Sequence, residues 1–538
     1  MATLTYNYAM LASRMESTGE KNRIQASQAT ANLLIEAGKG SWIIPRSGKI
    51  TAKGKGEMQT YWIAGKGQPA VRKLERSNSG GLDEMTKLGS SQVSTRHLQL
   101  QVKKTPVDDE KYRRMIEWQV DLLARMLKKI KWVRLARNHG SNQKVGSMAR
   151  PSNVEETPVA TNNDLIVIDE VSESILFPPA DPNQGLAGTH PDSIELDHSV
   201  ITQLRNYVTS IAGLYRLNTF HNFEHATHVT QAIQKFLHRI ENDNEKDVVV
   251  DSESAIQRLH RTELVNIISD PLTSFAIVFS GLIHDVDHPG MTNEQIIKED
   301  PRLASFYRHR SVNEQNSVDI AWGMLLEPAY SDLLRCICDD EIDRSRFRQV
   351  LVNSVIATDL FDKEMKESRE ARWQRAFDVN IASDATDSAE LTNLKSTLII
   401  EYLLQASDIA HTMQHWTIYQ KFNQSLFEEM YNSFENGRLE VDPSRHWHKS
   451  ELEFFDTIVL PLAERLAKCD VFGFAGQECL AYARANKQEL VAKGDDALRD
   501  MVSKLQQRKF MSTMKKDTGR VKGGDPQRRR FSIATTQA

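Results

Sequence analysis

The sequence predicts an all-α protein over most of its length, with a compact multi-helix domain and a small α/β segment at the N-terminus. Three apolar stretches carry this prediction: TSFAIVFSGLIHD, NSVDIAWGMLLE and LKSTLIIEYLLQASDIA. None of them shows the regular alternation of apolar and polar residues that a strand with one solvated face requires. Short polar or proline-containing breaks separate the stretches, as expected for packed helices that enclose a pocket.

Composition divides the 538 residues into four regions. A chain of this length is expected to form two or more domains. Residues 1–66 look compact, and 67–164 are a polar linker with segments such as SNSGG and GSSQ. Residues 165–498 are the helical domain, and 499–538 are a basic tail that we predict to be disordered.

One segment of the linker, about 108–137, is predicted to be an amphipathic helix. It begins with acidic residues and ends with basic ones, as the helix dipole favours. Its apolar residues recur at steps of three and four: Ile116, Val120, Leu123, Leu127, Ile130 and Val133. We expect this apolar face to pack on a partner helix or a neighbouring domain. Peripheral contact with a membrane and binding of calmodulin are the alternatives.

Bulk chemistry excludes several classes of protein. The spacing of the four cysteines fits neither a zinc ribbon nor a disulfide framework, which predicts a reduced, cytoplasmic compartment. No apolar run is long enough to cross a bilayer, so we expect no transmembrane span in this chain. The formal net charge of −4 is small for the length and by itself argues neither for nor against a nucleic-acid partner; we predict none. The sequence leaves open whether the protein forms a homodimer.

Three clusters of metal-ligand residue types each lie at the end of an apolar segment. The first is His221-Asn222-Phe223-Glu224-His225, the second is His284-Asp285-Val286-Asp287-His288, and the third ends at Asp408. On a helix, His221 and His225 share one face, as do His284 and His288.

A lone histidine or aspartate on an apolar helix is usually a hydrogen-bonded core residue. Three such clusters are harder to explain in that way, because buried ionisable groups are costly unless they are paired or bind a metal. Histidine nitrogens with carboxylates suit zinc, and a neighbouring oxygen-rich position would suit magnesium or manganese. The predicted pocket is therefore a metal pocket, and two adjacent metals are a common apparatus for phosphoester hydrolysis.

The motifs His-Asn-x-x-His-Ala and His-Asp-x-Asp-His-Pro-Gly-x-x-Asn, about sixty residues apart, resemble those of the class I 3′,5′-cyclic nucleotide phosphodiesterases. The second motif is complete here through Asn293 and is highly specific. The resemblance runs from about Tyr207 to Leu462 and includes Ala357-Thr358-Asp359.

This resemblance implies a role for each matching residue. The metal ligands would be His225, His284, Asp285 and Asp408, with Zn at the first site and Mg or Mn at the second. The second metal's waters would be held by His288, Glu314 and Thr358. His221 would be the general acid that protonates the leaving O3′ oxygen, and a histidine suits that task because it titrates near neutral pH.

The most consequential departure from the family pattern concerns the nucleotide base. The glutamine that reads the purine in the family is Glu451 here, while Phe454 would still clamp the base. An ionised carboxylate can only accept hydrogen bonds, and guanine offers N1–H and N2–H donors. We therefore predict a preference for cyclic GMP over cyclic AMP. Other departures are His228 in the first motif and Ile409-Ala410-His411 after Asp408.

The N-terminal segment resembles the end of a class III (guanylyl) nucleotide cyclase domain. The matching stretches are residues 12–19, 23–25 and 53–62. They cover only the final third of such a domain, without its metal-binding aspartates, so we expect a truncated remnant with no cyclase activity. The order of domains is similar to receptor guanylyl cyclase–phosphodiesterase fusions of protists, which would attach the protein to a membrane if this chain is a fragment of one.

Hydrolysis of a cyclic nucleotide to its 5′-monophosphate, ending a cyclic nucleotide signal, is the function that the motifs predict. Two alternatives remain: a catalytically inactive module that binds cyclic nucleotide, and another metallophosphohydrolase of the His-Asp type. In the basic tail, Arg529-Arg530-Phe531-Ser532 also matches the R-R-x-S pattern of basophilic kinases, which makes Ser532 a candidate phosphosite.

Overall fold

A computed structural model describes parts of 24–63, residues 109–141, 166–178 and 189–243, most of 262–270, and residues 271–377 and 388–521. Much of the linker, Arg14 and Ser532 lie outside the described residues. The chain forms two compact units, residues 1–95 and 96–538, and each is described by itself.

The N-terminal unit contains two small antiparallel sheets. In the first, β5 (Thr60–Ile63) lies between β1 (Ile24–Ser27) and β2 (Ile43–Pro45), with Ile24 and Ile43 both opposite Ile63. In the second, β3 (Ile50–Ala52) pairs with β4 (Gly56–Met58). Thr60 and Trp62 are buried while Tyr61 and Ile63 are half-buried, which is the period of two expected for a sheet with one covered face. These strands agree with the predicted α/β segment.

The second unit is all-α in the residues that the structure describes, as the sequence predicts. Its helices follow one another in chain order: α1 (Glu110–Ser141), α2 (His198–Leu214), α3 (Phe223–Asp243), α4 (Pro271–Ile283), α5 (Asn293–Glu299), α6 (Pro301–Phe306), α7 (Val312–Leu325), α8 (Ser331–Ile337), α9 (Glu341–Ile356), α10 (Lys363–Phe377), α11 (Ser388–Asp408), α12 (Trp416–Glu435), α13 (Trp447–Phe454), α14 (Leu460–Lys468) and α15 (Gly473–Val521). A π-helical turn, Phe455–Val459, joins α13 to α14.

Helix α4 is the centre of the core. Every residue from Leu272 to Ile283 is buried, and α1, α3 and α9 pack around it. Its start is fixed by Asp270, whose side chain accepts a hydrogen bond from Thr273 N, and by Pro271 in the first turn. A helix that is apolar all round must be surrounded by other helices. As a result, His284, which directly follows the last residue of α4, lies in the middle of the domain.

Helix α1 belongs to the same core. All six apolar residues of the predicted stripe are buried, and α1 packs against α2 and α4. Arg134, near its end, donates hydrogen bonds to the carbonyl oxygens of Cys336 and Ile337 and to Asp343. The face that a membrane or calmodulin would have to contact is therefore occupied by the chain's own helices.

Helix α15 extends into the segment that was predicted to be a disordered tail, since it continues to Val521. Met501 and Leu505 are buried beside Phe427 and Trp447. These two apolar residues, four positions apart, stand among many basic residues, which led to the prediction of disorder. Their burial stabilises the end of the helix. No helix among the described residues is both long enough and apolar enough to cross a membrane.

Candidate metal centre and active site

The first motif forms the start of helix α3. Asn222 accepts a hydrogen bond from His225 N at 3.1 Å through its side-chain oxygen, which satisfies one of the free N–H groups of the first turn. His221 precedes the helix and His225 lies in its first turn, so both imidazoles project from the same end of α3.

Four predicted ligands from three motifs meet at one point. Asp408 Oδ1 lies 2.9 Å from His225 Nε2 and 3.3 Å from His284 Nε2. Asp285 Oδ2 lies 3.2 Å from His284 Nε2 and 3.6 Å from His225 Nε2. Both histidines are almost fully buried. The structure thus brings together residues that are up to 183 positions apart in the chain.

This arrangement fits a metal ion. Bonds of about 2.0–2.2 Å to a tetrahedral zinc place its ligand atoms roughly 3.3–3.6 Å apart, close to the separations observed here. His284 Nε2 and Asp285 Oδ2 are buried without a hydrogen-bond partner among the described residues, although they lie near each other. Two such atoms left without hydrogen bonds are what a shared ion would satisfy.

The tautomer of His284 also suits ligation. Its Nδ1 lies 3.0 Å from Gly281 O, and a carbonyl can only accept, so Nδ1 carries a hydrogen and Nε2 is the nitrogen that faces the carboxylates and could bind a metal. Burial disfavours charge on His284 and Asp285, but each stabilises the other. The pKa of His284 is raised and the pKa of Asp285 is lowered as a result.

His221 is held by Glu429, which the sequence analysis did not single out. Its Nδ1 lies 2.5 Å from Glu429 Oε1, and Glu429 Oε2 accepts hydrogen bonds from the backbone N–H groups of Phe220 and His221 at 2.7 and 3.1 Å. Burial lowers the pKa of His221, but the charge of Glu429 and its hydrogen bond outweigh this effect and raise it to about 9. The imidazolium is therefore the stable form, with its second nitrogen, Nε2, left to face a substrate.

His288 lies against His221, with ring centroids 4.0 Å apart. Burial and the neighbouring His221 charge lower the pKa of His288 to about 3, so it is neutral beside a charged partner. Gly290 makes the next turn. Its φ is +70°, and a Cβ there would come within 3.2 Å of Glu429 Cδ and 3.3 Å of Asn218 Cγ. The glycine therefore lets the second motif approach Glu429.

A second group of oxygen atoms is organised by Asn293. Its Nδ2 donates to Glu314 Oε2 at 3.0 Å and to Asp359 Oδ2 at 3.1 Å. Burial, followed by the Asp359 charge, raises the pKa of Glu314 to about 8. Thr358 adjoins this group, and its hydroxyl donates to Val355 O at 2.8 Å. The predicted second-metal residues Glu314 and Thr358 thus lie in this region, while His288 lies beside His221.

Glu451 lies buried on α13, and Phe454 is half-buried one turn later on the same helix. Tyr419 and Asn423, both on α12, donate hydrogen bonds to Glu451 Oε2 at 2.7 and 2.5 Å. Burial raises the pKa of Glu451 to about 7 even though these two bonds oppose the shift. No cation is among the groups that set this pKa, in contrast to the carboxylates of the metal cluster.

Sequence reasoning missed Glu429, Tyr419 and Asn423. Glu429 is preceded by Glu428, which pairs with Arg508 at the protein surface, and the two glutamates cannot be distinguished by residue type or spacing. A cavity of about 390 Å³ is lined by Tyr419, Asn423 and Trp447 together with α15, and none of the metal-cluster residues borders it. The convergence of ligand atoms, rather than this cavity, identifies the candidate active site.

Residues 220–471 match the family described as 3′5′-cyclic nucleotide phosphodiesterase, and residues 6–65 match the adenylate and guanylate cyclase catalytic domain. Two curated relatives are each 26% identical over 49% of this chain. One is named "Probable 3′,5′-cyclic-AMP phosphodiesterase pde-4", from Caenorhabditis elegans, and the other "cGMP-specific 3′,5′-cGMP phosphodiesterase 3", from Dictyostelium discoideum. The chain spans 36% and 51% of their lengths.

Among solved structures, the phosphodiesterase domain of Salpingoeca rosetta rhodopsin phosphodiesterase is similar, at 21% identity and a TM-score of 0.42. The match covers 57% of this chain and 87% of that one. The matched family segment contains every predicted metal ligand as well as His221 and Glu451. Residues 220–471 are thus similar to the catalytic domain of the 3′,5′-cyclic nucleotide phosphodiesterases, and the segment before them is similar to the nucleotide cyclases.

Proposed function

We propose that this protein hydrolyses a 3′,5′-cyclic nucleotide to the 5′-monophosphate and so ends a cyclic nucleotide signal. The observation that carries the proposal is the convergence of His225, His284, Asp285 and Asp408 next to the His221–Glu429 pair. Binding alone requires no general acid, so this pair favours catalysis over a sensor function.

The residues have the following roles in this proposal. His225, His284, Asp285 and Asp408 would hold the first divalent metal, zinc, and residues near Glu314 and Thr358 would hold the waters of a second, magnesium or manganese. Bound metals would lower the pKa of a coordinated water and take up negative charge of the phosphate.

His221 is the general acid. Because Glu429 holds Nδ1, Nε2 is the ring nitrogen that can donate a proton to O3′. A water-derived hydroxide forms the new bond to phosphorus, the P–O3′ bond breaks, and the His221 proton moves to the departing O3′. The ring centroid of His288 lies 4.0 Å from that of His221, and the pKa of His288 is lowered to about 3, so it is a weak acceptor for that proton.

For the base, we propose that Glu451 and Phe454 form the purine site and that cyclic GMP is preferred over cyclic AMP. The names of the two relatives do not decide this question, since one names cyclic AMP and the other cyclic GMP. The support is chemical: an ionised carboxylate accepts hydrogen bonds from guanine N1–H and N2–H.

The test uses the full chain loaded with zinc and magnesium, alongside Asp408→Ala and the matched surface control Asp496→Ala. Asp496 is exposed and pairs with Arg499 at the protein surface. We expect turnover of a cyclic nucleotide by the wild type and the control, and loss of both turnover and bound metal in Asp408→Ala. A metal-free wild type that still binds cyclic nucleotide would support a sensor instead. A metal-loaded enzyme that cleaves only other phosphoesters would support the wider metallophosphohydrolase class.

A further inference from the structure

The side chain of Glu451 is hydrogen-bonded in an asymmetric way. Both donors, Tyr419 Oη and Asn423 Nδ2, bond to Oε2. They lie four residues apart on α12 and therefore on one face of that helix. Oε1 accepts no hydrogen bond from the residues that the structure describes. Thus Oε2 accepts both hydrogen bonds, and Oε1 is the oxygen that could still accept or donate one.

The orientation of Asn423 is fixed by Trp447. The indole Nε1–H can only donate, and it donates to Asn423 Oδ1 at 3.2 Å. Asn423 must therefore present its NH₂ group to Glu451. Trp447 and Glu451 are themselves one turn apart on α13, so the four side chains close a ring between α12 and α13. Because Oε2 accepts from two donors, a proton on Glu451 is favoured on Oε1.

This ring is connected to the candidate active site through helix α12. Phe422, next to Asn423, contacts the rings of His411, His228 and Phe220, and the Phe220 ring lies 4.7 Å from that of His225. Six residues after Asn423, the same helix carries Glu429. At 1.5 Å per residue, the two positions are separated by about 9 Å along the axis. The carboxylate is therefore held by the same rigid element that positions the general acid.

We propose that the protonation state of Glu451 Oε1, fixed in place by the Trp447–Asn423–Tyr419 ring, selects the purine. Ionised Oε1 accepts from guanine N1–H. Protonated Oε1 donates to adenine N1, which is an acceptor. The inference rests on the proposed cyclic nucleotide hydrolysis and extends it, because it makes the substrate preference depend on pH and assigns Asn423 as a positioning residue.

The surroundings of Glu451 place this change near neutral pH. Burial raises its pKa to about 7. From α12, the titratable group that faces it is Tyr419, whose own pKa burial and the Glu451 charge raise well above 10, so it stays a donor. Along α13, Lys449 and Glu453 are exposed and pair with each other at 3.7 Å.

Charged groups on the other elements packed against α13 are also paired. From α15, Asp495 bonds to His448, and Lys487 pairs with Asp456 of the π-helical turn. None of these pairs is among the groups that shift the Glu451 carboxyl. Burial, and not a neighbouring charge, therefore sets its pKa.

The experiment measures kcat/KM for cyclic GMP and cyclic AMP with the full metal-loaded chain between about pH 5.5 and 8.5. In the ratio of the two values, the pH dependence of groups that serve both substrates, such as His221 and the metal ligands, cancels. We expect the ratio to rise in favour of cyclic GMP by up to about tenfold per pH unit, as the ratio of ionised to protonated carboxyl does. In Glu451→Gln the ratio should be flat.

Asn423→Leu tests the positioning role. Removal of a donor to the ionised carboxylate raises the pKa of Glu451, so the profile of the ratio should move to higher pH and the ratio at pH 7 should fall. Gln420→Leu, an exposed amide on the same helix, should leave the profile in place. A flat wild-type ratio with both nucleotides hydrolysed would overturn this inference alone, whereas hydrolysis of neither would overturn the proposed function.

Discussion

The two halves of the candidate site bury carboxylates in opposite ways. In the metal cluster, Asp285 and Asp408 lie within 3.6 Å of histidine nitrogens that supply positive charge or share a metal, and their pKa values are lowered. In the half proposed to bind the base, Glu451 has two neutral donors and no cation, and its pKa is raised to about 7. Similar burial thus produces a fixed charge in one half and a titrating group in the other, because the partner decides which form is stable.

Activity should be more sensitive to substitutions in the half that contains His221 and the metal cluster. His221→Asn removes the proposed general acid, and we expect kcat to fall by about 10²–10⁴ with metal content unchanged. Steady-state kinetics and metal analysis of the same preparations measure this. His198→Asn, at an exposed histidine on α2, is the control and should keep full activity. Equal loss of kcat and metal would instead place His221 among the ligands.

Both halves depend on one scaffold, which includes α1. Leu123 is fully buried in the shared core, and Leu123→Ala should lower the free energy of unfolding by about 2–5 kcal/mol. Urea denaturation measures this change. Leu176→Ala, where the side chain is 78% exposed, should change stability by less than about 0.5 kcal/mol. A neutral Leu123→Ala would mean that α1 belongs to a linker, as its composition suggested.

The electrostatic difference between the halves can be measured without substrate. The folded-state pKa of Glu451, about 7, lies above its ordinary value of 4.5. Between these two pH values the unfolded chain loses this proton while the folded chain keeps it, so the contribution of Glu451 to stability falls as pH rises from about 4.5 to about 7. The total is on the order of 3 kcal/mol.

In Glu451→Gln this decline should be absent. The difference in unfolding free energy between wild type and variant, followed by urea denaturation at several pH values, would report it. A difference that does not change with pH would show that Glu451 is ionised throughout, like the carboxylates of the metal cluster.

The smallest effect is expected at Glu429, which lies on α12, the helix that also carries the two donors to Glu451. Glu429→Gln keeps a hydrogen bond to His221 but removes the charge that raises its pKa, and we expect kcat to fall about 10- to 100-fold, as for other partners that orient a functional histidine. The acidic limb of activity should persist while the alkaline limb moves to lower pH, since His221 then loses its proton earlier. Glu428→Gln, at the adjacent glutamate, should leave the profile unchanged, and a shift there would contradict the assignment.

Much of the metal cluster could be predicted because its residues stand in short, dense motifs. His221 and His225 are four residues apart at the start of α3, and Asp285 adjoins His284, so chain geometry alone brings their side chains close. The apolar stretches before them likewise indicated buried helices. Glu429 could not be chosen over Glu428 in this way, because only the packing of α12 decides which of the two faces His221.

The packing partners of the first and last helices of the all-α unit, α1 and α15, could likewise not be predicted from the sequence. The apolar face of α1 could be predicted from the sequence, but the sequence does not show which surface packs against that face. Met501 and Leu505 were too sparse among basic residues to predict that α15 continues beyond residue 499. In each case the missing information was the partner surface, which comes from distant parts of the chain.

By itself, the sequence determined that buried histidines and aspartates would lie at helix ends, which follows from residue type and local periodicity. Its resemblance to the family pattern further predicted that Glu451 stands where a glutamine would read the base. Only the tertiary structure decided which group each of them meets: a metal-ligand partner for Asp408, a charged imidazole for Glu429, and two neutral donors on a single oxygen for Glu451. The physical reason is that the free energy of a buried charge depends on its nearest partners, and folding selects these from residues far apart in the chain.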